Sequence, residues 1–257
     1  MKKYILFIFF IFYSISSSNA AEITFDISNY DYEEEVNGAF FMSDESSYPF
    51  ISVGIRDWDI KSNVAGKSPL SFLYTTDLTY GEVDYTGSGT LEKDYYKARF
   101  EGYAVYDYKQ FSPFIGLAYR RLLDDSGGSV SSTGGLGYDR LSQYFYAPIG
   151  TIINANDKVT IKAQYNLFIS GKQESSFSDI SPLVTDLNVD QDSGWGFDAT
   201  IDYKIDDKWS VYGFYRYWDI DDSDIGTATL IGTELSAQFF EPQNITEEIG
   251  IGITYKF

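Results

Sequence analysis

The stretch that decides the fold is Glu248-Ile249-Gly250-Ile251-Gly252-Ile253-Thr254-Tyr255-Lys256-Phe257. Its residues alternate without a break. Ile249, Ile251, Ile253, Tyr255 and Phe257 share one face, and Glu248, Gly250, Gly252, Thr254 and Lys256 share the other. Successive side chains of an extended chain point to opposite sides, so a period of two gives a strand one apolar and one polar face.

The same period recurs outward from this stretch. Val159, Ile161, Ala163, Tyr165, Leu167 and Ile169 alternate with Lys158, Thr160, Lys162, Gln164, Asn166 and Phe168. Phe197, Ala199, Ile201 and Tyr203 alternate with Gly196, Asp198, Thr200 and Asp202. Tyr96, Ala98 and Phe100 alternate with Lys97, Arg99 and Glu101. Two segments, 141–152 and 209–220, carry aromatics on both faces; setting Arg216 inward turns Val211, Tyr215 and Tyr217 outward.

Connections alternate in length. Short ones rich in Asn, Asp, Gly or Lys fall near 61–68, 107–111, 154–157 and 205–207, as tight turns require. Longer polar segments lie at 34–48, 84–93, 124–137, 171–193 and 221–244. The strands are expected at 22–33, 50–60, 69–83, 94–106, 112–123, 138–152, 158–170, 194–204, 208–220 and 246–257. That is an all-β, antiparallel, up-and-down order of ten strands. Eight would drop a hairpin; twelve would add one within 171–193 or 221–244. An even count puts both termini at the short-turn end.

The first twenty residues read separately. Lys2 and Lys3 precede an apolar stretch, and the segment closes on Ser18-Asn19-Ala20. This is the layout of a secretory signal peptide cleaved after Ala20. Its roughly ten apolar residues fall short of the ~20 that a membrane-crossing helix needs. The expected organisation is a leader over 1–20 and one barrel over 21–257. No later run approaches the length of a transmembrane helix, so the exported chain is either soluble or crosses a membrane as a closed sheet.

Composition narrows this choice. The sequence holds 23 Tyr and 20 Phe, which suit strands and the aromatic girdles of membrane barrels. It has no cysteine, so no disulfide supports the fold. Removing Lys2 and Lys3 takes the formal net charge from −19 to −21. Such acidity argues against nucleic acid as a partner, since phosphate contacts need Lys and Arg patches.

The polar faces carry charges of both signs: Arg56, Asp77, Lys97, Arg99, Glu101, Arg120, Lys162, Asp198, Asp202, Arg216, Glu248 and Lys256. In a lipid-embedded barrel these would face the lumen and the apolar set would face hydrocarbon. A soluble lipocalin-like barrel with its apolar face inward is the alternative, and the abundance of outward aromatics speaks against it. A ten-stranded lumen is nearly filled by side chains. Tyr103, Phe114, Phe168, Phe214 and Trp218 are expected to project inward, and the charges to pair, because a buried charge is costly alone. The interior is therefore expected to be plugged or narrow.

Candidate chemistry is sparse. There is no histidine, the usual general base near neutral pH, and with no cysteine either, His/Cys metal sites are excluded. The chain is expected to be no enzyme and to take no cofactor. The densest acidic cluster, Asp219, Asp221, Asp222 and Asp224, fails the calcium-loop pattern because Asp224 stands where Gly is required. Asp57 with Asp59, and Asp186 with Asp190 and Asp192, are similar. These read as solvated loop charge; the sharper alternative is divalent-cation binding at the rim. The Gly-rich segment 126–137 lacks the Lys-Ser/Thr of a phosphate cradle and reads as a loop.

On the leader, the alternating segments and the terminal run 249–257, the chain resembles the small outer-membrane β-barrel superfamily, the OmpA-like and Opa-like group. The resemblance implies residence in a bacterial outer membrane, with short periplasmic turns and longer extracellular loops. It implies contact with outer-membrane lipid and lipopolysaccharide, and a monomer. It also makes Tyr255 and Phe257 an assembly signal read by the barrel-assembly machinery. The function implied is structural or surface-interacting through the loops, with a narrow porin or small-solute channel as the alternative. An enzyme comes third, because the barrel enzymes of that superfamily rely on a histidine that this chain lacks.

Overall fold

Tight turns join consecutive alternating segments, so neighbours in sequence become antiparallel neighbours in a sheet. The computed structural model describes residues 21–58, 60, 69–108 and 110–257. The leader 1–20, Asp59, and the turn expected at 61–68 lie outside the described residues. The strands are β1 (Glu22–Val36), β2 (Ala39–Ser46), β3 (Phe50–Asp57), β4 (Leu70–Thr86), β5 (Thr90–Tyr106), β6 (Phe111–Asp125), β7 (Arg140–Asn154) and β8 (Val159–Ser175). They continue with β9 (Leu187–Gln191), β10 (Gly194–Lys204), β11 (Trp209–Ile220), β12 (Gly226–Thr229), β13 (Ser236–Phe239) and β14 (Gln243–Lys256). β2 and β3 are two halves of one stave, and β9 and β10 of another. β12 and β13 form a separate hairpin. The result is a closed antiparallel transmembrane barrel of ten staves. The seam closes between β1 and β14, from Glu22↔Lys256 to Glu35↔Gln243, and β11 holds the other edge of β14.

The staves outrun the expected spans at the loop end. Segments 34–48 and 84–93 are not loops but continued ladders. β1 turns into β2 at Asn37-Gly38, both at positive φ (54° and 73°), the conformation of a two-residue type I′ hairpin. β4 and β5 pair through to Thr86↔Thr90. Polar residues lengthen these strands as readily as apolar ones, because the ladder is held by backbone hydrogen bonds. The segment 171–193 is likewise partly strand, with β8 reaching Ser175 and pairing β9. The β12–β13 hairpin inside 221–244 lies beyond the wall, so it adds no stave. In β7, a register shift at Phe145/Tyr146 skips Ile169 of β8, leaving Phe145 outward and Tyr144 and Tyr146 buried.

The outer surface is apolar where the strands cross. Phe72, Leu117 and Ile251 are 75%, 70% and 65% exposed. On β4 the outward band runs from Leu70 to Tyr80, matching the roughly 9–11 residues with which a tilted strand spans a bilayer core. Past the band the outward face turns acidic. Register sets acid against acid at Glu82↔Asp94, Asp84↔Glu92 and Asp31↔Glu247. Like charges directly opposite repel, so this collar is a poor place for strands to face one another without water and counter-ions.

Inside, glycines make room for rings. A Cβ on Gly81 would fall 1.8 Å from the Phe50 ring, and one on Gly250 would fall 2.4 Å from that of Phe214. Gly252 stands to Tyr212, Gly196 to Trp218 and Gly150 to Phe114 in the same way. The glycines on the polar face of the terminal strand thus serve to seat aromatics of the adjoining stave.

Candidate functional site

The lumen divides into layers. At the terminus end, Arg56 Nη2 meets Asp202 at 2.5 Å and its Nε meets Glu22 at 2.6 Å, with Trp58 stacked on the guanidinium at 4.3 Å. A cavity of about 280 Å³ opens below, lined by Lys204, Lys208 and Lys256 among others.

The middle layer is a network on β4, β5, β8, β10, β11 and β14. Arg99 lies 2.8 Å from Asp77, 3.5 Å from Asp198 and 3.7 Å from Glu101. Arg216 reaches Glu248 at 3.2 Å and Asp77 at 3.9 Å, and Lys97 meets Glu248 at 2.9 Å. Glu101, wholly buried, also accepts hydrogen bonds from Tyr103, Tyr146 and Gln164 at 2.5, 2.9 and 2.8 Å. Lys162 donates to the Tyr103 hydroxyl at 2.6 Å. The reason these residues converge is periodic: each sits on the inward parity of its strand, and the shared register brings them to one height. Cavities beside the network hold only about 40 Å³ each, room for a few waters. The structure thus places Arg56, Asp77, Lys97, Arg99, Glu101, Lys162, Asp198, Asp202, Arg216 and Glu248 in the lumen, in ion pairs. Arg120 also points in, but rings hold it: Trp218 at 4.7 Å and Tyr144 at 5.2 Å from its guanidinium.

Above the network sit two buried aromatic clusters. One gathers Tyr30, Phe50, Val83 and Tyr95; the other gathers Tyr144, Tyr146, Phe168 and Trp218. Tyr103, Phe114, Phe168, Phe214 and Trp218 are all buried.

The loop end is not legible as a site in the sequence, because Glu34, Asp44, Lys93, Asp124 and Glu241 fall in expected loops while Tyr32, Tyr138 and Arg140 fall in expected strands. Lys93 is shared by Asp44 at 2.9 Å and Asp124 at 2.8 Å. Arg140 is shared by Glu34 and Glu241, and Tyr32 donates to Glu34 at 2.8 Å. Burial pushes the Glu241 carboxyl up to about 7, with Arg140 pulling it down and Glu34 pushing it further up. Burial also raises the Tyr138 phenol. Over this floor opens a cavity of about 530 Å³. Three loops form its wall, stapled by the Phe177 ring between Tyr138 at 4.9 Å and Phe239 at 5.0 Å. The signal that would have exposed this layer is Asn37-Gly38: reading it as a hairpin extends the inward parity of Tyr30 and Tyr32 to Glu34.

The aspartate run of the last loop does another job than the one considered for it. Asp219 accepts from Gln243 Nε2 at 2.9 Å, Asp222 from the Gln243 amide at 2.6 Å, and Asp224 from the Asp190 amide at 2.7 Å. These carboxylates tie the loop to strand ends, and Asp221 adds its backbone, donating its N–H to Ser193 O and accepting from Gln191 Nε2, both at 3.1 Å. Among the described residues no group of three or more acidic side chains converges as a cation site. Asp186 caps the Ser178 amide at 2.9 Å. At the seam, Tyr255 packs between Trp209 at 4.7 Å and Phe257 at 5.5 Å on the outer face.

No protein-family model matches the sequence, and no curated protein is significantly similar to it. Among solved structures, the outer-membrane protease OmpT of Escherichia coli is similar with a TM-score of 0.55 at 9% identity, over 92% of this chain and 96% of that one. The translocator domain of the autotransporter NalP from Neisseria meningitidis aligns at 9% identity with a TM-score of 0.44, over 96% and 92% of the two chains. Neisserial surface protein A aligns at 13% identity with a TM-score of 0.36, over 93% and 98%. At these identities the likeness to the protease shows the fold alone.

Proposed function

We propose that this chain is an outer-membrane barrel with a closed lumen, acting at the cell surface through its loops and catalysing no reaction. The observation that carries the reading is the middle network: four cations and their carboxylates cross the lumen, with two cavities of about 40 Å³ each beside them. A lumen sealed at mid-height leaves the loop end as the face that meets the environment. The apolar outer band supports residence in lipid, with outer-membrane lipid and lipopolysaccharide around it and a monomer as the working unit. In this reading Tyr255 and Phe257, on the outer face of the closing strand, are what the barrel-assembly machinery engages. The exported leader is 1–20. A shared fold does not carry an activity with it, and the chain holds no histidine, the usual general base near neutral pH.

Protease treatment of intact cells tests this reading. Cleavage is expected within 171–193 and 221–244, in a protein recovered in the outer-membrane fraction with heat-modifiable gel mobility. A protein found in the soluble periplasm, with mobility indifferent to heating, contradicts it.

A further inference from the structure

The charges of the loop-end layer do not balance. Four buried carboxylates, Glu34, Glu241, Asp44 and Asp124, share two cations, Arg140 and Lys93. Each cation is already divided between two acids. Moreover, Asp124 Oδ1 is buried, accepts no hydrogen bond among the described residues, and belongs to a side chain lining the cavity. Buried charge without a partner is costly, so the floor favours taking up positive charge, as a proton on Glu241 or as a bound cation.

The walls ask for something else. Phe177, Phe239, Phe240, Leu187 and Met42 line the same cavity, whose volume of about 530 Å³ falls in the roughly 300–1,000 Å³ range of small-molecule sites. Below the floor, the stacked Tyr30 and Phe50 rings and the edge of Tyr95 close the way down. The loops that form the walls are joined to one another by backbone hydrogen bonds, Thr185 N to Thr229 O at 3.1 Å and Ile231 N to Leu183 O at 2.7 Å. The cavity is therefore a preformed blind vestibule and not the mouth of a channel.

From this geometry we infer that the vestibule binds a small amphipathic organic cation, an ammonium group on an apolar body, with the ammonium on the Asp124 and Glu241 carboxylates and the body against the phenylalanine walls. Aromatic faces add to the preference, since they attract cations. Lys93 and Arg140 line the same cavity but are each already held by two carboxylates, so an anion of the same shape meets a net negative floor, and a neutral molecule leaves that floor unsatisfied. The inference rests on the reading of the loop end as the outward-facing end and names the ligand class that end takes.

The test is calorimetry on the refolded full barrel in nonionic detergent. The probe is phenethylammonium, with hydrocinnamate and phenethyl alcohol as its anionic and neutral counterparts. The ammonium is expected to bind at least about tenfold more tightly than either, a difference of about 1.4 kcal/mol. Asp124→Asn and Glu241→Gln are each expected to erase most of that preference, and Phe240→Ala to weaken binding severalfold. Heat-modifiable mobility checks that each variant has folded. Equal binding of the three probes, tighter binding of the anion, no binding at millimolar probe, or a preference unchanged in both carboxylate variants overturns the inference. Any of these outcomes in a barrel that still shows heat-modifiable mobility and surface cleavage leaves the broader reading standing; loss of those properties in the unaltered protein brings down the broader reading instead.

Discussion

The middle of the lumen and its loop end are built from the same residue types and arrive at opposite results. In the middle, Lys97, Arg99, Lys162 and Arg216 face Asp77, Glu101, Asp198 and Glu248 nearly one for one, with cavities of about 40 Å³ each beside them. At the loop end, four carboxylates share two cations under an open vestibule. Balanced charge at close packing makes a plug. Unbalanced charge beside a cavity makes a place for something to bind. A charged lumen is not by itself a conduit; what matters is whether the charges satisfy one another.

The largest effect should come from the plug. Arg99→Ala leaves Asp77, Glu101 and Asp198 facing one another in a buried layer, and removing one partner of a buried pair costs about 3–5 kcal/mol. Denaturant unfolding in detergent should show a loss of that size. Arg140→Ala removes the corresponding cation at the loop end, where water enters, and should cost clearly less. Equal losses at the two positions would erase the distinction between them.

Next comes the packing that frames both regions. Gly81→Ala drives a methyl into the Phe50 ring and should cost about 1–3 kcal/mol, the range for overpacked cores. A negligible loss would show that Phe50 can swing away, and that the ceiling of the plug is softer than its geometry implies.

The smallest effect is a pH dependence confined to the loop end. Glu241 has its folded value raised to about 7 by burial, opposed by Arg140 and reinforced by Glu34, with the Tyr32 hydroxyl also donating to it. A raised acid favours the protonated folded form. Stability at this end should therefore fall as pH rises from the ordinary glutamate range to about 7, and level off above it. Backbone protection factors over 236–243, which remove the intrinsic rise of amide exchange with pH, should fall between about pH 5 and pH 8 in the native chain. In Glu241→Gln the dependence should flatten. A flat profile in the native chain would place Glu241 in water rather than under the loops.

The wall of the barrel was readable because lipid imposes a strict alternation: Ile249, Ile251 and Ile253 must all face hydrocarbon, and Lys162 or Asp198 cannot. Ten staves followed from the spacing of short turns. The loop end was harder for a physical reason. Above the lipid band both faces of a strand carry polar side chains, so apolar–polar alternation no longer marks a strand, and Glu34, Asp44 and Lys93 look like loop charge although all three are buried. Their convergence depends on the β1–β2 hairpin and on Arg140 at the start of β7 and Glu241 in the link between β13 and β14 arriving from far apart in sequence. The seating of Phe214 over Gly250 was invisible for a related cause, since it is fixed by the register between β11 and β14 and not by either strand alone.

Single-channel recording in a planar bilayer asks whether the middle network seals the lumen. The native barrel, inserted and verified by heat-modifiable mobility, should give a silent baseline in salt under applied voltage. Sustained, ohmic current steps from the native protein would contradict the claim and make the charged lumen a path.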